Sequence, residues 1–296
     1  MKRFLPIFFC SFICLSLVRG QTSEDKQQTV GALQALQEPD GGFRSSFGTE
    51  PKSGQPRSSL RATTSALRAL KYFGGAPRDT KTCTEFIATC FDKASGGFAD
   101  HPGGKPDAVT TAVGLMAIVE LKMPVKDYGA AAQDYLDRHA RTFEEIRLAA
   151  ASMEAIGERS PQTEAWLAQI ARLRNEDGTY GKADGMARET GGAVAAVLRL
   201  GGKVEQRHNV VRALRSGQRP DGGFGQQGKR SSDLETSYRV TRCFVMLKEK
   251  PDVERLRDFV AGCRNKDGGY GIAPGHPSQV GSTYFAAIIL HWLTEM

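Results

Sequence analysis

Apolar positions along the chain follow two kinds of helical pattern, which alternate. One kind is amphipathic and charged, as in segment 253–260, and the other is small and apolar on nearly every face, as in segment 281–290. No strand-like alternation of useful length occurs. The pattern predicts an all-α protein in which amphipathic helices surround helices that are buried on most sides.

A short turn recurs between the two kinds of segment. The sequence Asp-Gly-Gly-aromatic at 40–43 returns at 221–224 and 267–270, and weaker copies lie at 95–98 and 177–180. Successive copies toward the C-terminus are 44 and 46 residues apart. A fixed period of this length is typical of repeat proteins built from helix pairs.

The spacing of the turns predicts six repeats. The distance from Asp40 to Asp177 is three periods, so two units lie between them. One unit contains the turn at 95–98, and the other has lost its turn near 134–142. Because one helix pair cannot bury its own core, neighbouring pairs must stack. We therefore predict one (α/α)6 toroid over residues 21–296, its repeats beginning near residue 24. An open superhelix of tetratricopeptide type is the alternative, but that repeat is shorter and lacks the turn.

The residue types of the turn have physical roles. The two glycines are expected to take positive φ and so reverse the chain tightly after the first helix. The aspartate is expected to accept hydrogen bonds from nearby backbone N–H groups. The aromatic residue is placed to wedge between the two helices of its unit and bury a large apolar area.

Residues 1–20 have the sequence pattern of a targeting segment. Lys2 and Arg3 precede an apolar stretch that ends near Arg19 and is followed by polar residues. This pattern predicts a signal peptide that is removed on export, so the mature chain would be secreted or periplasmic; an uncleaved anchor is the alternative. Its removal lowers the formal charge from +7 to +4. The remaining positive charge is interleaved with acids, which is not the pattern of a nucleic-acid-binding protein.

Four cysteines lie in the region predicted to be mature, at Cys83, Cys90, Cys243 and Cys263. None has the close spacing of a disulfide framework or a zinc knuckle. We interpret them first as small buried apolar residues. Disulfide pairing, which export would permit, stays open.

The repeat resembles that of the protein prenyltransferases and squalene cyclases, over essentially all of the mature chain. The greatest likeness is to the β subunit of type II (Rab) geranylgeranyl transferase. It is carried by FIATCFDKASGGFADHPGG at 86–104 and by PDAVTT at 106–111. The resemblance implies the toroid fold and, for the enzymes of the family, a catalytic zinc and a partner α subunit.

The zinc of that family implies three ligand positions that this chain does not keep. They fall on Ser59, Arg61 and Thr110, although Asp107 ahead of the third is retained. None of these three residues is a good zinc ligand, and a cation at Arg61 would repel the metal. The cyclases' Asp-x-Asp-Asp acid motif does not occur either. We therefore expect no zinc and no other cofactor.

The N-termini of the inner helices are expected to meet at one mouth of the barrel, where their dipoles favour anions. Charged and polar residues at these helix starts could bind a polar ligand or supply an acid and a base. The candidate residues are Arg61, Asp107, Arg188, Glu189, Asp233, Glu235, Tyr238 and Tyr284, with Glu144, Glu145 and Arg147 beside them.

Helix capping is the competing interpretation of several of these residues. Asp107 has the position of an N-cap. The sequences from Ser232 to Glu235 and from Thr142 to Glu145 both match a capping box. Arg61, Arg188 and Glu189 are harder to explain in this way, because they lie among small apolar residues.

Two functions are consistent with these features. The first is an exported binding or scaffold module that takes a lipid-like, peptide or glycan ligand in its cavity or mouth. The second is an enzyme of prenyltransferase or terpene-cyclase type with a rearranged active site. An α-type partner subunit is compatible with the sequence but not required by it, and no nucleic-acid partner is expected.

Overall fold

The computed structural model describes residues 21–48 and 57–296, so the predicted signal peptide at 1–20 lies outside the described residues. Two short 3-10 helices, Val125–Asp127 and Ala183–Gly185, occur in the described chain. Its α-helices are α1 (Ser23–Gln34), α2 (Leu60–Phe73), α3 (Thr80–Thr89), α4 (Ala108–Glu120), α5 (Gly129–His139), α6 (Phe143–Ile156), α7 (Thr163–Ala171), α8 (Met186–Arg199), α9 (Arg207–Ser216), α10 (Leu234–Leu247), α11 (Val253–Gly262) and α12 (Val280–Glu295).

The even-numbered helices form a closed inner ring. Each packs against the next, and α12 packs back against α2. The odd-numbered helices lie outside them. Hydrogen bonds also join the first and last units: the N–H of Val280 donates to the carbonyl of Ser45 at 2.9 Å, and the hydroxyl of Thr29 donates to the carbonyl of Gly268 at 2.7 Å. The prediction of a closed all-α toroid with six helix pairs is confirmed.

None of the helices described for residues 21–48 and 57–296 is long and apolar enough to span a membrane.

The turn aromatics are buried, and a repeated hydrogen bond fixes them to the inner helices. In each of the five units that keep the turn, the backbone N–H of the aromatic residue donates to a hydroxyl in the first turn of the inner helix. The pairs are Phe43 with Thr63, Phe98 with Thr111, Tyr180 with Thr190, Phe224 with Ser237, and Tyr270 with Thr283, at 2.9–3.0 Å. The predicted wedge between the helices of a pair is therefore present, and its backbone donor is satisfied.

The two glycines of each turn have different roles, as the fifth unit shows. Gly222 has φ +90, and a Cβ there would lie 1.9 Å from the carbonyl oxygen of Arg255 on the next outer helix. Gly223 is not in the positive-φ region; a Cβ there would lie 2.6 Å from that of Ser232. The prediction that both glycines adopt positive φ was wrong for Gly223. Glycine is needed there because Ser232 packs against it and leaves no room for a side chain.

The capping predictions had mixed outcomes. Asp107 caps α4, accepting from the N–H of Thr110 at 2.7 Å. Thr142 and Glu145 form the predicted capping box at the start of α6.

The capping box predicted from Ser232 to Glu235 was wrong. Asp233 caps α10 instead and accepts from the N–H of Thr236 at 2.7 Å. The hydroxyl of Ser232 donates to the turn residue Asp221 at 2.7 Å, so it is already engaged. The side chain of Glu235 is therefore free of the cap and turns toward the centre of the ring, where it contacts arginines.

Candidate functional site

The inner ring encloses a cavity of about 290 Å³. Its lining combines charged and apolar side chains. Six arginines, three glutamates, two tyrosines and one phenylalanine face it beside aliphatic residues such as Val113, Met116 and Leu148. The charged and aromatic residues are Arg61, Arg68, Arg147, Arg199, Arg239, Arg242, Glu120, Glu154, Glu235, Tyr238, Tyr284 and Phe285. The small residues of the inner helices leave room for these long side chains.

A network of ion pairs spans the end of the cavity nearest the N-termini of the inner helices. Glu144 on α6 accepts from Arg147 at 2.9 Å and from Arg239 on α10 at 2.6 and 3.0 Å. Arg239 also donates to Glu235 at 2.7 Å, and Glu235 accepts from Arg188 on α8 at 3.1 Å. Side chains from three inner helices therefore meet here.

The cations of this network hold its carboxylates ionised. Burial raises the pKa of Glu144, but the hydrogen bond from Arg239 and the charge of Arg147 outweigh it and bring the pKa to about 2. The pKa of Glu235 is also lowered, since the charges of Arg239 and Arg188 outweigh its burial. Burial, followed by the neighbouring charge of Arg239, lowers the pKa of Arg147.

A second set of ion pairs lies toward the other end of the inner helices. Glu120 on α4 is 3.3 Å from the Nε of Arg68 and 2.9 Å from the Nζ of Lys71. In the same way, Glu154 on α6 is shared by two arginines. Its partners are Arg199 on α8 and Arg242 on α10, each at 3.0 Å.

Positive charge exceeds negative charge in these two networks. Each of the carboxylates at 120, 144, 154 and 235 is shared by two cations. Counting also Glu189, which lies 3.7 Å from Arg188, seven cations face five carboxylates, an excess of two positive charges. Arginine binds carboxylate and phosphate groups with paired N–H donors. The cavity is therefore suited to an anion.

Aromatic rings form one wall of the cavity. The ring centroid of Tyr238 lies 5.1 Å from that of Phe285, 5.6 Å from that of Trp292 and 5.8 Å from that of Tyr284. The guanidinium of Arg68 lies 4.7 Å from the centroid of the Tyr284 ring. This wall gives the cavity an apolar surface beside its cations.

The two tyrosine hydroxyls on this wall differ in acidity. Burial raises the pKa of Tyr284 well above its usual value. Burial acts on Tyr238 in the same direction, but the charges of Arg68 and Arg199 outweigh it and lower the pKa. The hydroxyl oxygen of Tyr284 is buried and makes no hydrogen bond of ordinary length to the described residues, but it lies near the hydroxyl of Tyr238, and each contributes to the pKa shift of the other.

Some of the residues predicted for the mouth contribute little to the cavity. Arg61 lies at the rim, with its side chain 60% exposed, and pairs with Asp100 at 2.7 Å. Asp107 and Asp233 are engaged as helix caps. Glu189 lines a separate surface depression as well as approaching Arg188.

The positions that correspond to the family's zinc ligands have structural roles. Ser59 caps α2 by accepting from the N–H of Ala62, and the hydroxyl of Thr110 donates to the carbonyl of Phe98 at 2.6 Å. In residues 21–48 and 57–296, no group of three or more His, Cys, Asp or Glu side chains is arranged to hold a metal ion. The expectation that the protein uses no zinc or other cofactor stays a prediction.

Several cavity residues were missed from the sequence. They lie in the middle or at the C-terminal end of inner helices, whereas the prediction considered only the helix starts. They are Arg68, Glu120, Glu154, Arg199 and Arg242. Single charges within helices of otherwise small residues were the signal that could have identified them.

The four described cysteines are free and buried; they are Cys83, Cys90, Cys243 and Cys263. Their interpretation as small apolar residues is therefore confirmed. None of them forms a disulfide in this structure. Burial raises the pKa of the Cys90 and Cys263 thiols to about 12. These thiols are poor nucleophiles and poor metal ligands at neutral pH.

The fold and the site together define an α/α toroid with a cavity inside its inner ring that combines an excess of positive charge with an apolar wall. The model of the prenyltransferase alpha-alpha toroid domain matches residues 2–79, 75–144 and 133–296. The chain therefore belongs to the prenyltransferase α/α toroid family, and the resemblance to the prenyltransferase and squalene-cyclase superfamily is confirmed. No curated protein matches the sequence significantly.

Solved structures share the fold at low sequence identity. A type II terpene cyclase from Scytonema, solved with geranylgeranyl dihydroxybenzoate as substrate, superposes with a TM-score of 0.65 at 10% identity, covering 93% of this chain and 97% of the cyclase. Candida albicans protein geranylgeranyltransferase-I, complexed with GGPP, gives 0.61 at 14%, covering 79% and 83%. A glycoside hydrolase family 76 mannosidase from Bacteroides thetaiotaomicron gives 0.62 at 9%, covering 92% and 98%. At these identities the likeness is one of fold.

Proposed function

We propose that this protein is a binding module that takes a small organic anion into the central cavity of its toroid. The observation that carries the proposal is the excess of two positive charges over the carboxylates in and around the cavity. Charges enclosed by protein interact more strongly than charges in water, so an anion that entered would be held by several arginines at once.

The lining also narrows the ligand class. A lipid without a charged group would leave the excess of two positive charges in and around the cavity without a counter-ion, which is unfavourable. A glycan or peptide that carries an acid group can instead pair with the arginines and rest its apolar part on Phe285. A cavity of about 290 Å³ is at the small end of the range for ligand sites. We infer an acidic ligand no larger than a modified monosaccharide or a short peptide end.

Residues 1–20 support the further proposal that the module works outside the cytoplasm. Mass spectrometry of the protein recovered from its expressing host would show cleavage near residue 20 if this segment is a signal peptide. Native mass spectrometry of the same sample would report a retained ligand or an α-type partner subunit. An uncleaved chain in the cytoplasmic fraction would contradict the proposal of export.

Isothermal titration calorimetry with four probes tests the binding function. The probes are inorganic phosphate, benzoate, glucuronate and geranylgeranyl diphosphate, each at low and at high sodium chloride concentration. We expect binding of at least one small anion, weakened by salt because the attraction is electrostatic. The absence of binding by every probe at millimolar concentration would refute the proposal.

Arg147→Gln is the informative variant for the same titration. Glu144 keeps Arg239 as a partner when Arg147 loses its charge, so the substitution leaves no carboxylate unpaired. Removal of one charged hydrogen-bonding group should weaken anion binding about tenfold. Arg172→Gln removes the same charge from the exposed end of α7 and serves as the control. Equal affinities of the two variants would place the anion elsewhere.

The alternative function is an enzyme of prenyltransferase or terpene-cyclase type with a rearranged site. The arginines favour it to the extent that they could also bind a diphosphate. The enzymatic function would be supported if the wild-type protein releases diphosphate from geranylgeranyl diphosphate. The rate of release should then fall in Arg147→Gln but not in Arg172→Gln. Binding of small anions with no turnover would support the module.

A further inference from the structure

Three side chains from three inner helices meet on the aromatic wall of the cavity. Arg68 comes from α2, Tyr238 from α10 and Tyr284 from α12. The Arg68 guanidinium lies 4.7 Å from the centroid of the Tyr284 ring, and that ring lies 5.8 Å from the ring of Tyr238. All three residues line the cavity.

The hydroxyl of Tyr284 is buried without a hydrogen bond of ordinary length. The residue is 6% exposed, and the polar side chain that influences its hydroxyl most directly is that of Tyr238, which lies close enough for each hydroxyl to shift the pKa of the other. Burying a hydroxyl without a partner costs free energy that a phenylalanine would avoid. Unsatisfied polar groups of this kind are rare in folded proteins, and each calls for a specific explanation, such as a functional role or a bound water or ion.

Arg68 has hydrogen-bonding capacity left over. Its Nη1 contacts the thioether sulfur of Met116 at 3.6 Å, which is a weak acceptor. Its Nε lies 3.3 Å from Glu120 but lacks the geometry of a hydrogen bond. Glu120 is shared with Lys71, so it does not neutralise Arg68 alone.

We propose that Arg68, Tyr238 and Tyr284 form a subsite for the oxyanion group of the ligand, a carboxylate or a phosphate. The two phenolic hydroxyls donate to the oxyanion and Arg68 supplies the opposite charge. The proposal rests on the proposed function, because it locates the anion within the same cavity. Burial keeps Tyr284 protonated by raising its pKa, so it remains a donor. The arginines beside Tyr238 lower its pKa, which makes its O–H the stronger donor of the two.

The variants Tyr284→Phe and Tyr238→Phe test the subsite, since each removes one oxygen and keeps the ring. Benzoate and inorganic phosphate are titrated separately. Each substitution should weaken binding of the recognised anion by about tenfold. Tyr284→Phe should also leave the melting temperature unchanged or raise it, because it removes a buried hydroxyl that makes no hydrogen bond of ordinary length. Weakening for benzoate alone would assign the subsite to a carboxylate, and weakening for phosphate alone would assign it to a phosphate.

Tyr135→Phe is the matched control. The hydroxyl of Tyr135 donates to the carbonyl of Pro106 at 2.9 Å, and the residue does not line the cavity. This variant should lose thermal stability and keep its affinity, the reverse of what Tyr284→Phe should do. If the wild type binds an anion and both cavity variants bind it equally well, the subsite is refuted while the proposed function stands. If the wild type binds no anion, the proposed function itself fails.

Discussion

Arg239 on α10 reaches past α8 to Glu144 on α6, where its Nη1 lies 2.6 Å from Oε1. The two helices are not neighbours in the inner ring, so the pair bridges the lumen. Gly191 on α8 allows α10 to pack closely, since a Cβ there would lie 3.2 Å from the carbonyl oxygen of Arg239. Part of the mouth is therefore held together by charge rather than by apolar packing.

Glu144 should make the stability of the protein depend on acid pH. Its pKa in the folded state is about 2, against 4.5 in its unperturbed state. A group with a lowered folded pKa stabilises the fold above its unfolded pKa and loses that contribution as pH falls. We expect the midpoint of urea unfolding to fall between pH 5 and pH 2. Glu144→Gln should be less stable than wild type at pH 7 and should show a shallower fall. Parallel pH profiles of the two proteins would contradict this assignment.

The same variant should bind anions more tightly while being less stable. Replacing Glu144 with Gln removes the one carboxylate that pairs with Arg147 and thereby increases the positive charge of the cavity. We expect the affinity for the anion bound by wild type to rise severalfold at pH 7, measured by calorimetry below the melting temperature of the variant. An affinity equal to that of wild type would mean that the ligand does not reach this end of the cavity.

The first glycine of the turn should be far less tolerant of substitution than other glycines with positive φ. Gly222 and Gly201 have φ +90 and +77, but only Gly222 faces a neighbour, the carbonyl of Arg255. Gly201→Ala should cost about 1 kcal/mol from backbone strain. Gly222→Ala adds a steric clash and should cost about 3 kcal/mol or more. Urea unfolding of both variants separates the two effects. Similar losses in the free energy of unfolding would show that α11 shifts readily to accommodate the added methyl group.

The repeat and its turns could be predicted from sequence because their causes are local. A double glycine followed by an aromatic residue predicts a sharp reversal of the chain and an aromatic side chain buried between two helices. Capping at 232–235 was harder, because Ser232 and Asp233 are both good caps and a distant residue, Asp221, decides between them. Local sequence could not identify that partner.

The cavity could be predicted only in part. The inner helices α4 and α12 are apolar on nearly every face, so their sequences do not reveal which face points to the lumen. The helix α2 is strongly amphipathic, but its polar face alone does not distinguish a charged cavity from solvent, and Arg68 lines the cavity because of how the six helices pack together. Tyr238 and Tyr284 were expected at the mouth and instead line the aromatic wall of the cavity. The excess of positive charge appears only once the ion pairs are known.

The thiols should be inert until the protein unfolds. The four described cysteines are buried, and burial raises the pKa of Cys83 and Cys90 to about 12. Only a thiolate reacts readily with a disulfide reagent such as DTNB. We expect none of these four thiols to react at pH 8 within minutes under native conditions, and all four to react in denaturant. Fewer than four in denaturant without reductant would indicate a disulfide.

The hydrogen bond between the turn and the inner helix should be a general source of stability, and Ser237 tests it best. Its hydroxyl accepts from the backbone N–H of Phe224 at 3.0 Å, and both residues are buried. Ser237→Ala leaves that donor without a partner and should lower the free energy of unfolding by about 1–3 kcal/mol. Ser237→Thr is the control, because the other four units use threonine at the equivalent place. The threonine variant should unfold within about 1 kcal/mol of wild type, since it keeps the acceptor. Equal stability of the alanine and threonine variants would mean that water can reach the amide of Phe224 and that the wedge depends on its aromatic packing alone.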